Sequence, residues 1–395
     1  MTTEGLSINS PVTQLLSYIG IESRRNGYQY WKDNQYAMHD CTCMGESWGF
    51  VWFRTSGCIQ ERRGSCIYCK YGTGPFFNDE QIIDGFKAAL SGITKNYDFL
   101  FASSSGSLLD IREVSQDVYL NYLELLSLTD HNSFGFETRC ETISSERIRQ
   151  TQEKLGGRLR QVFMGLEIAN ESILKYCLNK QQNLDRFAGA IKILANEGVS
   201  SCVNVLVGIP FYSIEERIQL SFESVKWAFD NEAYRVFLFP INVKDHTPLS
   251  FLFGSKLYSP PSLWEMIEVM KLFPDKIDEK KIGISWYRPH KDVPGIIHSP
   301  ITCRKCNADV LNLLDKYDKN PQFSYIQQLS NIECSCKNKW NEDKSALKCF
   351  SVDYLMESYQ ELSKRWDKTN SYYIANHESI RNELKAMEKK LKGYK

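Results

Sequence analysis

The chain has 395 residues, and its 48 basic and 48 acidic side chains cancel to a formal charge of zero at neutral pH. Nothing in that balance advertises a polyanionic partner, and an apolar content of 42% is enough to bury one large core, or a large core with a small appendage. With no signal peptide and no long apolar run, the chain reads as soluble and cytoplasmic, crossing no membrane, and its 13 cysteines point to metal or redox chemistry rather than to disulfides.

In chain order, residues 1–47 read as an N-terminal cap. They hold an amphipathic helix near Val12 to Ile21 and a polar run from Arg24 to Gln35 that would cover the open side of the following domain. His39, Cys41 and Cys43 carry no assigned role. From about Trp48, apolar and β-branched or aromatic runs alternate with amphipathic stretches, the pattern of parallel strands joined by helices. The expected strands are Gly49 to Thr55, Tyr97 to Ala102, Ser133 to Thr138, Gln161 to Glu167, Cys202 to Val207 and Arg235 to Ile241. Between and after them the expected helices are Asp79 to Leu90, Val114 to Ser127, Ser144 to Leu155, Asn183 to Glu197, Ser213 to Asp230 and Leu263 to Phe273. Six βα units are too few for a closed eightfold barrel, so the expected fold is α/β, a partial (β/α)6 barrel over residues 48–290, with its chemistry at the carboxyl ends of the strands.

The unusual residues lie at those ends. Cys58, Cys66 and Cys69 follow the first strand as C-x7-C-x2-C. Three thiolates are one fewer than a closed [4Fe–4S] cluster takes, which leaves one iron for an exogenous ligand. Zinc is the rival, because C-x2-C is half of a zinc site and Cys41 with Cys43 would supply a second pair. The strand before the cysteines, the aromatic beside the last one and the βα series after them favour the open cluster. Ser105, Gly106 and Ser107 follow the second strand, where a Ser/Gly loop is ordinarily a turn but can hold a carboxylate or ammonium group. Glu137 and Glu167 end otherwise apolar strands and must be solvated, paired or used. Arg139 either pairs with one of these glutamates or clamps a carboxylate. Tyr68 is either core or a surface for an adenine ring.

A second constellation, Cys303 and Cys306 with Cys334 and Cys336, lies in residues 291–345. One helix filling the gap would hold the pairs about 40 Å apart at about 1.5 Å per residue. Pro321, in the turn Asp318-Lys319-Asn320-Pro321, divides that gap into Ala308 to Lys316 and Gln322 to Ile332, and an antiparallel hairpin of the two brings the pairs together. Four thiolates suit tetrahedral zinc, the favoured reading, or a closed auxiliary [4Fe–4S] cluster. His298 reads as bystander or site lining, and Cys140, Cys177, Cys202 and Cys349 as small buried apolar residues. Residues 346–395 form a helical extension, with an apolar stripe from Val352 to Trp366 and a lysine-rich end from Lys385 to Lys395 read as a solvated helix end.

Taken together, Arg54-Thr55-Ser56-Gly57-Cys58, Gly64-Ser65-Cys66-Ile67-Tyr68-Cys69, Ser105-Gly106-Ser107-Leu108-Leu109-Asp110, Glu137-Thr138-Arg139, Gly165-Leu166-Glu167, Asn242-Val243 with Thr247, and Tyr258-Ser259-Pro260-Pro261-Ser262-Leu263-Trp264 carry a family resemblance. From about Trp48 to Trp340 the chain resembles radical S-adenosylmethionine enzymes with the elongator catalytic-subunit type of core, and among them the radical subunit of archaeosine synthase and its uncharacterised relatives. The resemblance implies that Cys58, Cys66 and Cys69 hold a [4Fe–4S] cluster whose fourth iron is chelated by S-adenosyl-L-methionine. It places Ser105, Gly106 and Ser107 at the methionine part and Glu167, with Glu137, at the ribose or ammonium; the residues themselves suggest Tyr68 and Arg139 as further cofactor contacts. It further implies reductive cleavage to a 5′-deoxyadenosyl radical, with electrons from a donor such as flavodoxin or ferredoxin. Gly208-Ile209-Pro210-Phe211, Ser259-Pro260 and Cys140 depart from the archaeosine pattern. With the neutral charge, they make a small biosynthetic intermediate the expected substrate. A tRNA base is the less favoured one, transfer of a 3-amino-3-carboxypropyl group an alternative reaction, and a zinc-stabilised binding protein the non-enzymatic alternative. No residue is assigned as catalytic.

Overall fold

The computed structural model describes residues 10–25, 36–274, 277–289, 295–345 and 350–393. Ser10 caps helix α1 (Pro11–Arg24), its hydroxyl accepting from the Thr13 N–H, and Pro11 occupies the first turn, where its missing N–H costs nothing. Strand β1 (Tyr36–Cys43) turns at Met44 and Gly45, both at positive φ, into β2 (Glu46–Phe53), to which it pairs antiparallel. Two left-handed residues in succession are what a tight hairpin with matched twist requires.

Then comes the βα series. A single turn, α2 (Ile59–Arg62), and α3 (Asp79–Ser91) lead to β3 (Phe99–Ser104); α4 (Gln116–Ser127) leads to β4 (Phe134–Glu137) and α5 (Ser145–Lys154) to β5 (Leu159–Glu167). Helices α6 (Glu171–Leu178) and α7 (Leu184–Asn196) precede β6 (Ser200–Val207), and α8 (Ile214–Asp230) precedes β7 (Arg235–Pro240). The two-residue β8 (Val243–Lys244), α9 (Pro248–Gly254) and α10 (Leu263–Met270) follow, then β9 (Ile282–Ile284) and β10 (Ile296–His298). Asn78 with Gln81 and Ser213 with Glu216 form capping boxes at the starts of α3 and α8, so these boundaries are written locally.

The eight-stranded sheet runs β1-β2-β3-β4-β5-β6-β7-β9, parallel from β2 onward. It is curled. Trp48 of β2 and Phe237 of β7 have ring centroids 6.3 Å apart, although five strand spacings in a flat sheet would separate them by about 24 Å. Phe99, Phe101 and Phe163 join them to fill the concave side, while Leu100, Ala102, Val162, Val203, Val236 and their neighbours meet the helices on the convex side. The expected partial α/β barrel and all six of its strands and helices are present. The two extra strands, β1 and β9, had little signal: β1 is polar and mostly exposed, and β9 has three residues.

After β10, α11 (Asn307–Lys319) and α12 (Phe323–Ser330) form the expected hairpin around Pro321, packed on the core through Val310, Leu314, Tyr317, Ile326 and Leu329, and α13 (Ser335–Ser345) follows. Helices α14 (Val352–Trp366) and α15 (Ser371–Gly393) close the chain against α1, sharing a second core with Val12, Leu16, Ile19, Ile67 and Leu174. No described helix is long and apolar enough to cross a membrane. Residues 26–35, most of the expected polar run, and Cys349 lie outside the described residues.

Candidate functional site

β2 ends at Phe53, and the chain turns at Gly57, where φ is +79° and a Cβ would lie 2.4 Å from the Tyr71 carbonyl oxygen. Cys58 starts α2 and donates its N–H to that same carbonyl at 3.3 Å. A left-handed Gly64 and a left-handed Cys66 then fold the loop back, and it is fixed to the end of α6 by bonds from the Cys66 N–H to Asn179 O (3.1 Å) and from the Ile67 N–H to Leu178 O (3.0 Å). The three thiols are half-buried, and burial pushes each pKa up, that of Cys58 to about 12. They are near enough to repel one another as thiolates. Yet among the described residues the cysteines whose ligand atoms all lie within 4.8 Å of one another are Cys303, Cys306, Cys334 and Cys336, not these three. Nor do Cys41 and Cys43 complete a zinc set, contrary to the rival reading. Cys41 and Cys43 are registered with Trp48 and Glu46, about 17 Å and about 23 Å of strand from Phe53, and the Cys43 thiol donates to Asp318 at 3.7 Å.

The Ser/Gly loop packs directly on this turn. Gly106, at φ +125°, has space only for hydrogen: a Cβ there would be 2.3 Å from Glu113 Oε2 and 3.1 Å from the Cys58 nitrogen. Ser105 is half-buried, its hydroxyl accepting from the Thr55 N–H at 3.2 Å. Ser107 is fully buried and its hydroxyl is shared with Thr138 at 2.6 Å, so it shapes the loop from behind. Arg139 pairs with neither strand-end glutamate. Its guanidinium binds Asp110 and Glu113 (2.6 Å to Glu113 Oε1) and reaches Cys58 Sγ at 3.5 Å. Glu113 in turn accepts from the backbone N–H groups of Ile59 (2.9 Å) and Ser107 (2.6 Å), tying the two loops together.

Glu137 and Glu167 end the neighbouring strands β4 and β5, near enough for their charges to interact. Burial first, then the Glu167 charge, push the Glu137 carboxyl up to about 7. Glu167, at positive φ after a bulge in β5, is paired with Lys180 Nζ at 2.9 Å. Tyr68 is half-buried, with Glu167, Cys66 and Cys69 near enough to act on its phenol. Tyr71 adds a second ring, 6.2 Å from Trp52 and beneath Lys244 Nζ at 5.1 Å. Sequence reasoning missed Glu113, Lys180, Lys244, Tyr71 and Trp52. Only Trp52 carried a signal, the alternation of aromatics Trp48, Phe50 and Trp52 on one strand face.

The second set of cysteines meets as expected. Sγ separations are 3.7 Å for Cys303–Cys306, 3.4 Å for Cys303–Cys334 and 3.5 Å for Cys306–Cys336. Both pairs sit at helix N-termini, those of α11 and α13, where thiolate charge is favoured. Hydrogen bonds, foremost from the Cys306 backbone, pull the Cys303 thiol down to about 6. His298 lies outside the set and stacks edge-on to Phe253. Cys140, Cys177 and Cys202 are buried, as expected.

No family model matches the chain. An uncharacterised protein of Methanocaldococcus jannaschii is 26% identical over 302 residues, covering 73% of this chain and 79% of that one. The archaeosine synthase subunit beta of Thermococcus kodakarensis is 27% identical over 310 residues (74% and 90%), and that of Methanosarcina acetivorans 23% over 309 residues (74% and 83%). Among solved structures, an archaeal Elp3 from Methanocaldococcus infernus superposes with a TM-score of 0.43 at 19% identity over 60% of this chain and 58% of that one. Methylornithine synthase gives 0.43 at 14% identity over 82% and 93%. The chain therefore resembles archaeosine synthase subunit beta over about three quarters of its length.

Proposed function

We propose that the chain is a radical S-adenosylmethionine enzyme. One observation carries this: the C-x7-C-x2-C loop sits at the carboxyl edge of a curled parallel sheet, with Gly106 of the Ser/Gly loop packed on the Cys58 backbone and Arg139 reaching its sulfur. Cys58, Cys66 and Cys69 would hold a [4Fe–4S] cluster, with S-adenosyl-L-methionine at the adjoining crevice. That pair supplies one-electron cleavage of a sulfonium C–S bond, and the protein's share is positioning and exclusion of water. The backbone of Ser105 and Gly106 offers the polar edge nearest Cys58, Glu167 an acceptor held in place by Lys180, and the rings of Tyr68 and Tyr71 flat surfaces for a base. Glu137, mostly protonated below neutrality, can donate as well as accept. The second cysteine set would hold structural zinc. Tetrahedral bonds of about 2.3 Å place sulfurs about 3.8 Å apart, close to the separations found, whereas a cubane spreads its four thiolates wider.

The substrate reading remains a small biosynthetic intermediate, supported by a neutral charge and by the departures around Gly208 and Ser259. A second reading, modification of a tRNA base, is supported by the names of two relatives. It requires RNA binding that weakens steeply with salt. The central test is anaerobic reconstitution with iron and sulfide, then reductant and S-adenosyl-L-methionine. The expected product is 5′-deoxyadenosine, abolished by Cys58→Ala, Cys66→Ala or Cys69→Ala. Unchanged product in those variants overturns the assignment, and methylthioadenosine in its place redirects it to carboxypropyl transfer.

A further inference from the structure

The cysteine loop is held from outside the barrel by a buried cation. Arg24, the last residue of α1, is 4% exposed although arginine is almost never so deeply buried without a partner. Its partners are the loop itself. Nη1 donates to Glu61 O at 3.0 Å, while Nη2 donates to Ser65 O at 2.9 Å and Cys66 O at 2.7 Å, with Cys69 O at 3.4 Å. Nε forms an ion pair with the carboxylate of Glu61, itself 1% exposed and bonded by Thr73 Oγ1 at 3.3 Å. One planar fork therefore meets backbone oxygens of two cluster cysteines and the only turn of helix between Cys58 and Cys66.

The approach that permits this is steric. A Cβ on Gly20 would lie 2.2 Å from Gly64 O, and one on Gly64 would lie 2.0 Å from Ser17 O. Backbone meets backbone, with Asn179 Nδ2 donating to Gly64 O at 2.9 Å from the other side. The left-handed Cys66 needs such bracing, because an L-residue there is strained and would otherwise relax.

Resting on the cluster assignment above, we infer that Arg24 is a positioning residue. Its guanidinium fixes the C-x7-C-x2-C loop in the conformation that receives the cluster, and its charge eases reduction. A lysine keeps the charge but not the fork, and methionine keeps neither.

The test uses the full chain reconstituted with iron and sulfide, comparing wild type, Arg24→Met and Arg24→Lys. The readouts are the rate of iron loss to a chelator and the midpoint potential followed by electron paramagnetic resonance. Expected is at least a tenfold faster loss in Arg24→Met with a more negative potential, and faster loss in Arg24→Lys with a potential near wild type. Zinc content at the second cysteine set reports folding. If Arg24→Met fails to retain zinc, Arg24→Lys decides alone, by its rate. Loss rates and potentials within twofold and within error of wild type overturn the inference while leaving the cluster assignment intact. A wild type that takes up no iron at all overturns both.

Discussion

Individual buried charges near the strand ends differ in whether a partner compensates them. Arg217 and Glu265 form a pair in the core, 3% and 0% exposed, that is purely architectural: removing one partner of such a pair costs about 3–5 kcal/mol. Arg139 and Glu113 form a comparable pair, but theirs lies against Cys58. Glu137 has no such partner, and its pKa is displaced from an ordinary 4.5 to about 7 by burial and by Glu167. The folded state thus keeps a proton that the unfolded chain releases. The stability this contributes is complete below pH 4.5 and is lost as pH rises through about 7. Glu137→Gln removes the dependence. Without cofactors, the variant should melt several degrees above wild type at pH 8, with the difference closing toward pH 5; a pH-independent difference would show that Glu137 is not desolvated.

Among the elements, the helical hairpin illustrates what can be inferred from local signals. Pro321 and the turn before it divided the gap between cysteine pairs into two helices, and the structure returns Cys334 and Cys336 to Cys303 and Cys306. The six central strands and their helices were equally legible, because period-two and period-3.6 patterns with capping residues are local statements. The brace on the cysteine loop was not. Arg24 ends an apolar-patterned helix and was read as the beginning of a polar run, since the acceptors it meets lie 37 to 45 positions away in a loop without periodicity. Likewise Arg139 was left between pairing with a strand-end glutamate and clamping a carboxylate, and its partners, Asp110 and Glu113, follow another strand. Zinc at the hairpin makes a separate prediction. Metal analysis of aerobically purified protein should give about one zinc per chain, and Cys303→Ser or Cys334→Ser should lower the melting temperature and raise amide exchange over residues 303–345 without preventing iron uptake at Cys58, Cys66 and Cys69. Iron and sulfide retained at the second set in the triple loop-cysteine variant would identify an auxiliary cluster instead.

At the scale of the whole molecule, the packing beside the cysteine loop is built from both ends of the described chain. Helix α1 packs between α14 and α15, and its Val12 N–H donates to Glu383 across 371 positions, while Tyr372 Oη donates to Gln14 at 2.7 Å. Ending the chain at residue 345 should uncover Leu16, Ile19, Leu174 and Ile209, giving a protein that binds hydrophobic dyes and loses iron quickly. A truncated chain with wild-type melting temperature would contradict that account of the core. The same arrangement orders events during biosynthesis. The barrel strands and all three loop cysteines leave the ribosome well before Glu383 exists, so α1 has only part of its seat while most of the protein is already made. Throughout that interval the loop lies beneath an unfinished roof. Until α15 is in place, the helix that carries Arg24 lacks part of the packing that seats it against the cysteine loop.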